Sequence, residues 1–208
     1  MKTGEIIKVA QDYQSFFSSE WKNVRGSFYR RHGSWLQIVA FNPSRFNDVY
    51  EPRSCAEFLK KPGPVAGSML LSTLREKKHS VTRWISLKEH AASFPSIWED
   101  MATQFRPVIN QPLRIAEVKE LLQGHQDYWP HVYALCVMAA EEGNATEARR
   151  HFDLFCQMLA DKPFDWVGER RSELDRVMEL ILTPSALKAH LDETERVKLA
   201  TAKLDLPP

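Results

Sequence analysis

The run Phe28-Tyr29-Arg30-Arg31-His32-Gly33-Ser34-Trp35-Leu36-Gln37-Ile38-Val39-Ala40-Phe41 constrains this chain more than any other stretch. Two segments rich in aromatic and β-branched side chains flank His32-Gly33, and glycine supplies the positive φ that a tight turn demands. The run reads as a β-hairpin. With His32-Gly33 as a two-residue loop, Arg31 stands opposite Ser34, Arg30 opposite Trp35, Tyr29 opposite Leu36 and Phe28 opposite Gln37. Side chains alternate along a strand. One face then carries Phe28, Arg30, Trp35, Gln37, Val39 and Phe41, and the other Tyr29, Leu36, Ile38 and Ala40. Both faces are largely apolar, which places the pair inside a sheet covered on one side by helices. Arg30 against Trp35 predicts a cross-strand cation–π contact worth about 0.5–1 kcal/mol if exposed.

Around this hairpin the chain reads as α+β. Residues 3–19 carry Ile6, Val9, Ala10, Tyr13, Phe16 and Phe17 at helical spacing, with Thr3 as the cap. Residues 20–26 connect to the hairpin. From 42 to 67 prolines and glycines break the pattern; short strands are expected near 48–50 and 65–71, and a helical turn over 55–59. A strand over 79–87 precedes a helix opened by Ser86 or Leu87 and running to about Gln104, with Pro95 as a possible start. Residues 106–112 connect to a helical second half, with helices near 113–123, 131–142, 147–160, 172–182 and 192–203. Residues 132–140 are apolar all round and so buried. Their junction with the next helix, Ala139-Ala140 to Gly143-Asn144 and Glu147-Ala148, is similar to the turn of a tetratricopeptide-type hairpin, but no repeat recurs along the chain. The expected organisation is a small, mainly antiparallel sheet with flanking helices over 1–110, then a helical region over 111–208.

The pattern F-Y-R-R-x-G-x-W-L-Q-x-V-x-F, followed by N-P-S-R-F-N, resembles an uncharacterised bacterial family, a domain of unknown function. Its aromatic-basic hairpin ends in a strand of the type L-Q-x-V-x-F-Q-x-S. The resemblance spans about residues 13–105. That family has no established activity, so the resemblance implies a fold and no catalytic residue.

Composition narrows the function. With 28 Lys+Arg against 27 Asp+Glu the net charge is +1, leaving no global field to attract nucleic acid or an anionic surface. Three cysteines, Cys55, Cys136 and Cys156, lack any C-x-x-C or metal-type spacing. The first residues have no apolar signal core, and no run approaches the ~20 apolar residues of a membrane span. A cytoplasmic protein with reduced thiols is expected.

Tests for chemistry return little. The segment Gly63-Pro64-Val65-Ala66-Gly67-Ser68 lacks the lysine and spacing of a phosphate-binding loop. Cys136 and Cys156 lie on packed helix faces, and Cys55 has no local histidine. His125 with His131 and His79 with His90 lack the spacing that puts two ligands on one helix face. The adjacent carboxylates Glu99-Asp100, Glu141-Glu142 and Asp192-Glu193 point apart. No cofactor or metal is expected.

The remaining signal is a surface for another protein. Six tryptophans and eleven phenylalanines, with arginines beside them, match the residues enriched at binding hot spots. The expected patch is Arg30, Arg31, Trp35, Arg45, Phe46, Tyr50 and Arg53. The leading expectation is a non-catalytic interaction protein of the inhibitor or immunity type, its partner another protein. The alternatives are an enzyme whose site is assembled from distant residues, and a single-stranded nucleic-acid binder using Arg75 to His79 with the aromatic-basic hairpin.

Overall fold

The computed structural model describes residues 1–65, 69–76, 81–105, 109, 111, 113–161 and 164–206. The expected 63–68 loop and the 106–112 connector lie partly outside them. The fold is α+β: an antiparallel sheet with flanking helices, then a helical second half. The chain forms two compact units, Met1–Glu57 with Gly67–Leu113 and Leu206–Pro208, and Phe58–Ala66 with Arg114–Asp205. Beside the expected division after residue 110, residues 58–66 thus group with the helices and 206–208 with the sheet.

In the first unit, helix α1 (Thr3–Tyr13) is capped by Glu5, whose carboxylate accepts from the Lys2 N–H at 2.6 Å; Thr3 is already helical. It closes in a 3-10 turn, Gln14–Phe16. The connector expected over 20–26 instead holds a strand, β1 (Lys22–Val24), paired with β2 (Ser27–His32). Arg25 and Gly26 form the two-residue turn between them, both with positive φ (54° and 85°), the twist a tight hairpin needs. Gly26 also lies under α1: a Cβ there would stand 2.9 Å from Ile6 Cγ2.

The central hairpin pairs β2 with β3 (Trp35–Pro43), but its turn is Gly33-Ser34 rather than His32-Gly33. Arg30 therefore faces Gln37, Phe28 faces Val39 and His32 faces Trp35. Moving the loop by one residue shifts the register by two, so the expected division into faces survives. Phe28, Val39 and Phe41 pack with Ile6, Val9, Ala10 and Tyr13 of α1, and with Phe17 and Trp21.

Strand β4 (Val49–Phe58) follows β3 in the sheet. The helical turn expected over 55–59 is strand as far as Phe58: β5 (Met69–Thr73) pairs with β4 from Arg53 to Ala56, and this pairing overrides local propensity. The register shifts between Ser54 and Ala56. β6 (Ile85–Ser86) pairs with the start of β4, at Tyr50 and Val49. The strand expected over 79–87 is thus short: an isolated bridge joins Arg75 to Thr82, and 77–80 lie outside the described residues. Helix α2 (Leu87–Gln104) starts at Ser86, whose Oγ accepts from the Glu89 N–H at 3.1 Å. It kinks at Ser93, two residues before Pro95, and its Ile97 and Met101 complete the aromatic core.

The second unit holds α3 (Ile115–Gly124), α4 (Trp129–Glu141), α5 (Ala145–Met158), α6 (Phe164–Leu180) and α7 (Pro184–Ala202). Residues 130–140 of α4 are all buried, as an all-apolar helix requires. Gly143 adopts positive φ (73°) between α4 and α5, and Asn144 caps α5 by accepting from the Glu147 N–H at 3.1 Å. Lys198 of α7 is buried and donates to the Phe58 and Lys61 carbonyls at 3.1 and 2.9 Å, holding the segment that follows β4.

Candidate functional site

The seven residues expected to share a surface are divided by the fold. Trp35 and Tyr50 are buried, and Arg30 is buried as well, so these three supply interior contacts rather than an exposed patch. Arg31 is half-buried; its guanidinium donates to the Gly33 carbonyl at 3.1 Å and to the Leu206 carbonyl at 3.2 Å. Arg53, also half-buried, holds the buried Glu51 carboxylate at 2.6 Å. Of the seven, Arg45 and Phe46 alone are exposed.

Those two occupy the turn between β3 and β4. Phe46 is 92% exposed, more than any other large apolar side chain among the described residues. The turn backbone beneath it is fixed. Ser44 Oγ accepts from the Phe46 N–H at 3.2 Å and the Asn47 N–H at 3.3 Å, and the Ser44 N–H donates to the Val49 carbonyl at 2.9 Å. A serine hydroxyl accepting from the residues two and three positions on is a local turn device that needs no tertiary support. The sequence therefore puts an aromatic and a guanidinium side by side, in water, on an ordered loop.

Arg30 is in a different setting. The expected contact with Trp35 is absent; its guanidinium lies over the Trp21 ring, 4.7 Å from the centroid. The turn at Gly33-Ser34 puts Gln37 opposite it, and its Nε donates to Gln37 Oε1 at 2.7 Å. Its Nη2 donates to the Gln111 carbonyl at 2.5 Å, and Gln37 Nε2 donates to the same carbonyl at 3.0 Å. Glu20 lies 3.4 Å from Nη1 and is 65% exposed. Burial pulls the arginine pKa down, partly offset by Glu20. A cavity of about 460 Å³ opens beside this group, lined by Phe16, Phe17, Trp21, Glu20, Ile109 and the two serines 18 and 19.

A third group runs through the aromatic core. Asp12 Oδ2 lies 2.9 Å from His90 Nε2, His90 Nδ1 lies 2.8 Å from the Tyr50 hydroxyl, and that oxygen lies 3.2 Å from the Tyr13 hydroxyl. A carboxylate only accepts, so Nε2–H donates to Asp12; in the tautomer that leaves Nδ1 bare, that nitrogen accepts from Tyr50. Tyr50 in turn accepts from Tyr13, and every group is satisfied. Burial pushes the Tyr13 hydroxyl up to about 12 and that of Tyr50 higher still. Both phenols stay protonated and out of reach of solvent.

Trp21, Glu20, Gln37, Asp12 and His90 were not legible as site residues. Trp21 and Glu20 fall in a segment without periodicity, and Asp12 and His90 are 78 positions apart. The register error hid the pairing of Arg30 with Gln37. Burial raises the Cys55 and Cys136 thiols to about 12 and raises Cys156 as well, the opposite of what a nucleophile needs. His131 Nδ1 is taken by the His125 carbonyl at 2.9 Å. Among the described residues, no three His, Cys, Asp or Glu side chains are placed to hold a metal ion, and no helix is long and apolar enough to cross a membrane. Comparison with protein-family models, curated proteins and solved structures gave no match.

Proposed function

We propose that this chain is a non-catalytic protein-interaction module of the inhibitor or immunity type, with Arg45 and Phe46 at the centre of its contact surface. The observation that carries the reading is Phe46, almost fully exposed on a turn whose backbone Ser44 already fixes. A preordered loop loses little entropy on docking. Aromatic and arginine side chains are the groups that most often dominate binding energy once buried by a partner. The free thiols of Cys55, Cys136 and Cys156 fit a reducing compartment such as the cytoplasm. The hairpin's likeness to an uncharacterised bacterial domain adds no activity to this reading.

The enzyme alternative draws on the Asp12–His90–Tyr50–Tyr13 chain. Its two phenols are fully buried and held protonated, which suits a structural network better than acid–base work. The single-stranded nucleic-acid alternative loses Phe28 and Trp35, both buried, as stacking platforms.

The test is affinity capture from the source cell with the wild type and an Arg45→Ala/Phe46→Ser variant, followed by mass spectrometry. A stoichiometric protein held by the wild type and lost by an equally stable variant supports the reading. Identical captures from both baits, or none from either, would count against it.

A further inference from the structure

We propose that the cavity walled by residues 16–21 binds a guanine base, its N1–H and N2–H edge on the Glu20 carboxylate and its ring against Phe16. This goes beyond the protein-binding reading and does not depend on it.

The segment is held by its ends. Phe17 and Trp21 are buried; Phe17 stacks on Phe28 at 3.9 Å and meets Trp21 edge-on at 5.2 Å. The Trp21 N–H donates to the Ser18 carbonyl at 3.0 Å and closes the turn between them. Ser18, Ser19 and Glu20 are therefore exposed side chains on a short loop pinned by two buried aromatics. Together with Phe16, Arg30 and Ile109 this loop lines a cavity of about 460 Å³, within the usual range for small-molecule sites.

Glu20 sets the polar edge of the ligand. Its side chain is 65% exposed; Oε2 lies 3.4 Å from Arg30 Nη1, and Oε1 has no partner among the described residues. A carboxylate accepts and never donates, and its two oxygens can take two parallel N–H groups at once. With the Arg30 guanidinium alongside, a cationic ligand is repelled, so the donors belong to a neutral molecule. Among the nucleobases only guanine offers two adjacent N–H donors on one edge. Adenine and cytosine set a ring-nitrogen acceptor beside their amino group, and uracil sets a carbonyl on each side of its single N–H.

Phe16 selects a flat ring. Trp98 stacks on it at 5.1 Å, yet Phe16 remains 38% exposed and lines the cavity. Stacking on an aromatic side chain holds any base, and the carboxylate chooses which one.

The experiment titrates the full-length protein with guanosine and with adenosine, followed by saturation-transfer NMR and backbone amide shifts. The expected result is saturable guanosine binding that shifts the amides of residues 16–21, with adenosine at least about fivefold weaker. Glu20→Gln, at an exposed position, should weaken guanosine at least about fivefold and move the preference towards adenosine. A carboxamide presents one acceptor and one donor, the pattern that adenine pairs with. Phe16→Ala should weaken both nucleosides alike, by at least about fivefold. A single-stranded RNA with one guanosine among uridines separates the two sources of the base. Affinity equal to that of guanosine assigns a free nucleoside, tighter binding assigns a strand, and either upholds the site. No saturable guanosine binding up to millimolar concentration, equal binding of guanosine and adenosine, or a preference unmoved by Glu20→Gln would overturn the proposal.

Discussion

Removing one hydroxyl from the buried tyrosine pair separates a satisfied network from a broken one. In Tyr50→Phe the ring still fills its place, but two buried groups lose their partners. The Tyr13 O–H loses its acceptor and His90 Nδ1 loses its donor. At about 1–3 kcal/mol for each of the two unsatisfied groups, the variant should lose about 2–6 kcal/mol. Tyr13→Phe leaves the Tyr50–His90–Asp12 chain intact and should cost only about 0.5–1.5 kcal/mol. In the double variant only Nδ1 is orphaned, so its cost should fall below the sum of the singles by about 1 kcal/mol or more. Urea unfolding followed by tryptophan fluorescence and far-ultraviolet circular dichroism measures all three, with an unchanged m value confirming comparable states. A Tyr13→Phe cost equal to or above that of Tyr50→Phe, or simple additivity, would refute the assigned direction of the hydrogen bonds.

Gly26→Ala should destabilise the first unit by about 1–3 kcal/mol, because a Cβ at φ +85° is strained and would meet Ile6 at 2.9 Å; urea midpoints check this. Alkylation of the native protein at pH 8 should modify Cys156 first, since Cys55 and Cys136 are buried with thiols held near 12; mass spectrometry should show all three modified only after unfolding. His131 and His151 are both depressed from their ordinary 6.5 by burial. Below about that pH the unfolded chain binds more protons than the folded one, so stability is full above it and falls as pH drops towards the folded values. Urea midpoints at pH 7.5 and 5.5 should differ in that direction, and His131→Gln/His151→Asn should flatten the difference; a wild type more stable at 5.5 would contradict it.

Much of the architecture was legible because periodicity and punctuation agreed. The all-apolar run 132–140 is a buried helix, Ser86 does open α2, and the faces of the central hairpin are as alternation dictates. The losses have physical causes. Glycine marked the 32–35 turn without specifying which of its neighbours is the other loop residue, and that choice moved Arg30 from Trp35 to Gln37. Strand β1 is three residues long, below the length at which alternation can be recognised, although Arg25-Gly26 supplied a turn signal. Residues 55–58 continue strand β4, which β5 joins at Ala56, and no local propensity records a partner. The sites suffered more than the fold. Asp12, His90, Tyr50 and Tyr13 come from two helices and a strand, and Trp21 and Gln37 reach Arg30 from different strands and turns. An aromatic residue also reads the same in sequence whether it fills a core, as Trp35 does, or stands in water, as Phe46 does.

The central claim is that exposed Phe46 serves binding while the buried aromatics serve the fold. Partner capture and urea midpoint measured together for Phe46→Ser and Tyr13→Phe test it directly. The account predicts that Phe46→Ser holds its midpoint to within about 0.5 kcal/mol of wild-type stability and loses the partner, whereas Tyr13→Phe lowers the midpoint and keeps the partner. A Phe46→Ser protein that retains the partner at wild-type level, or that is destabilised as much as Tyr13→Phe, would contradict it.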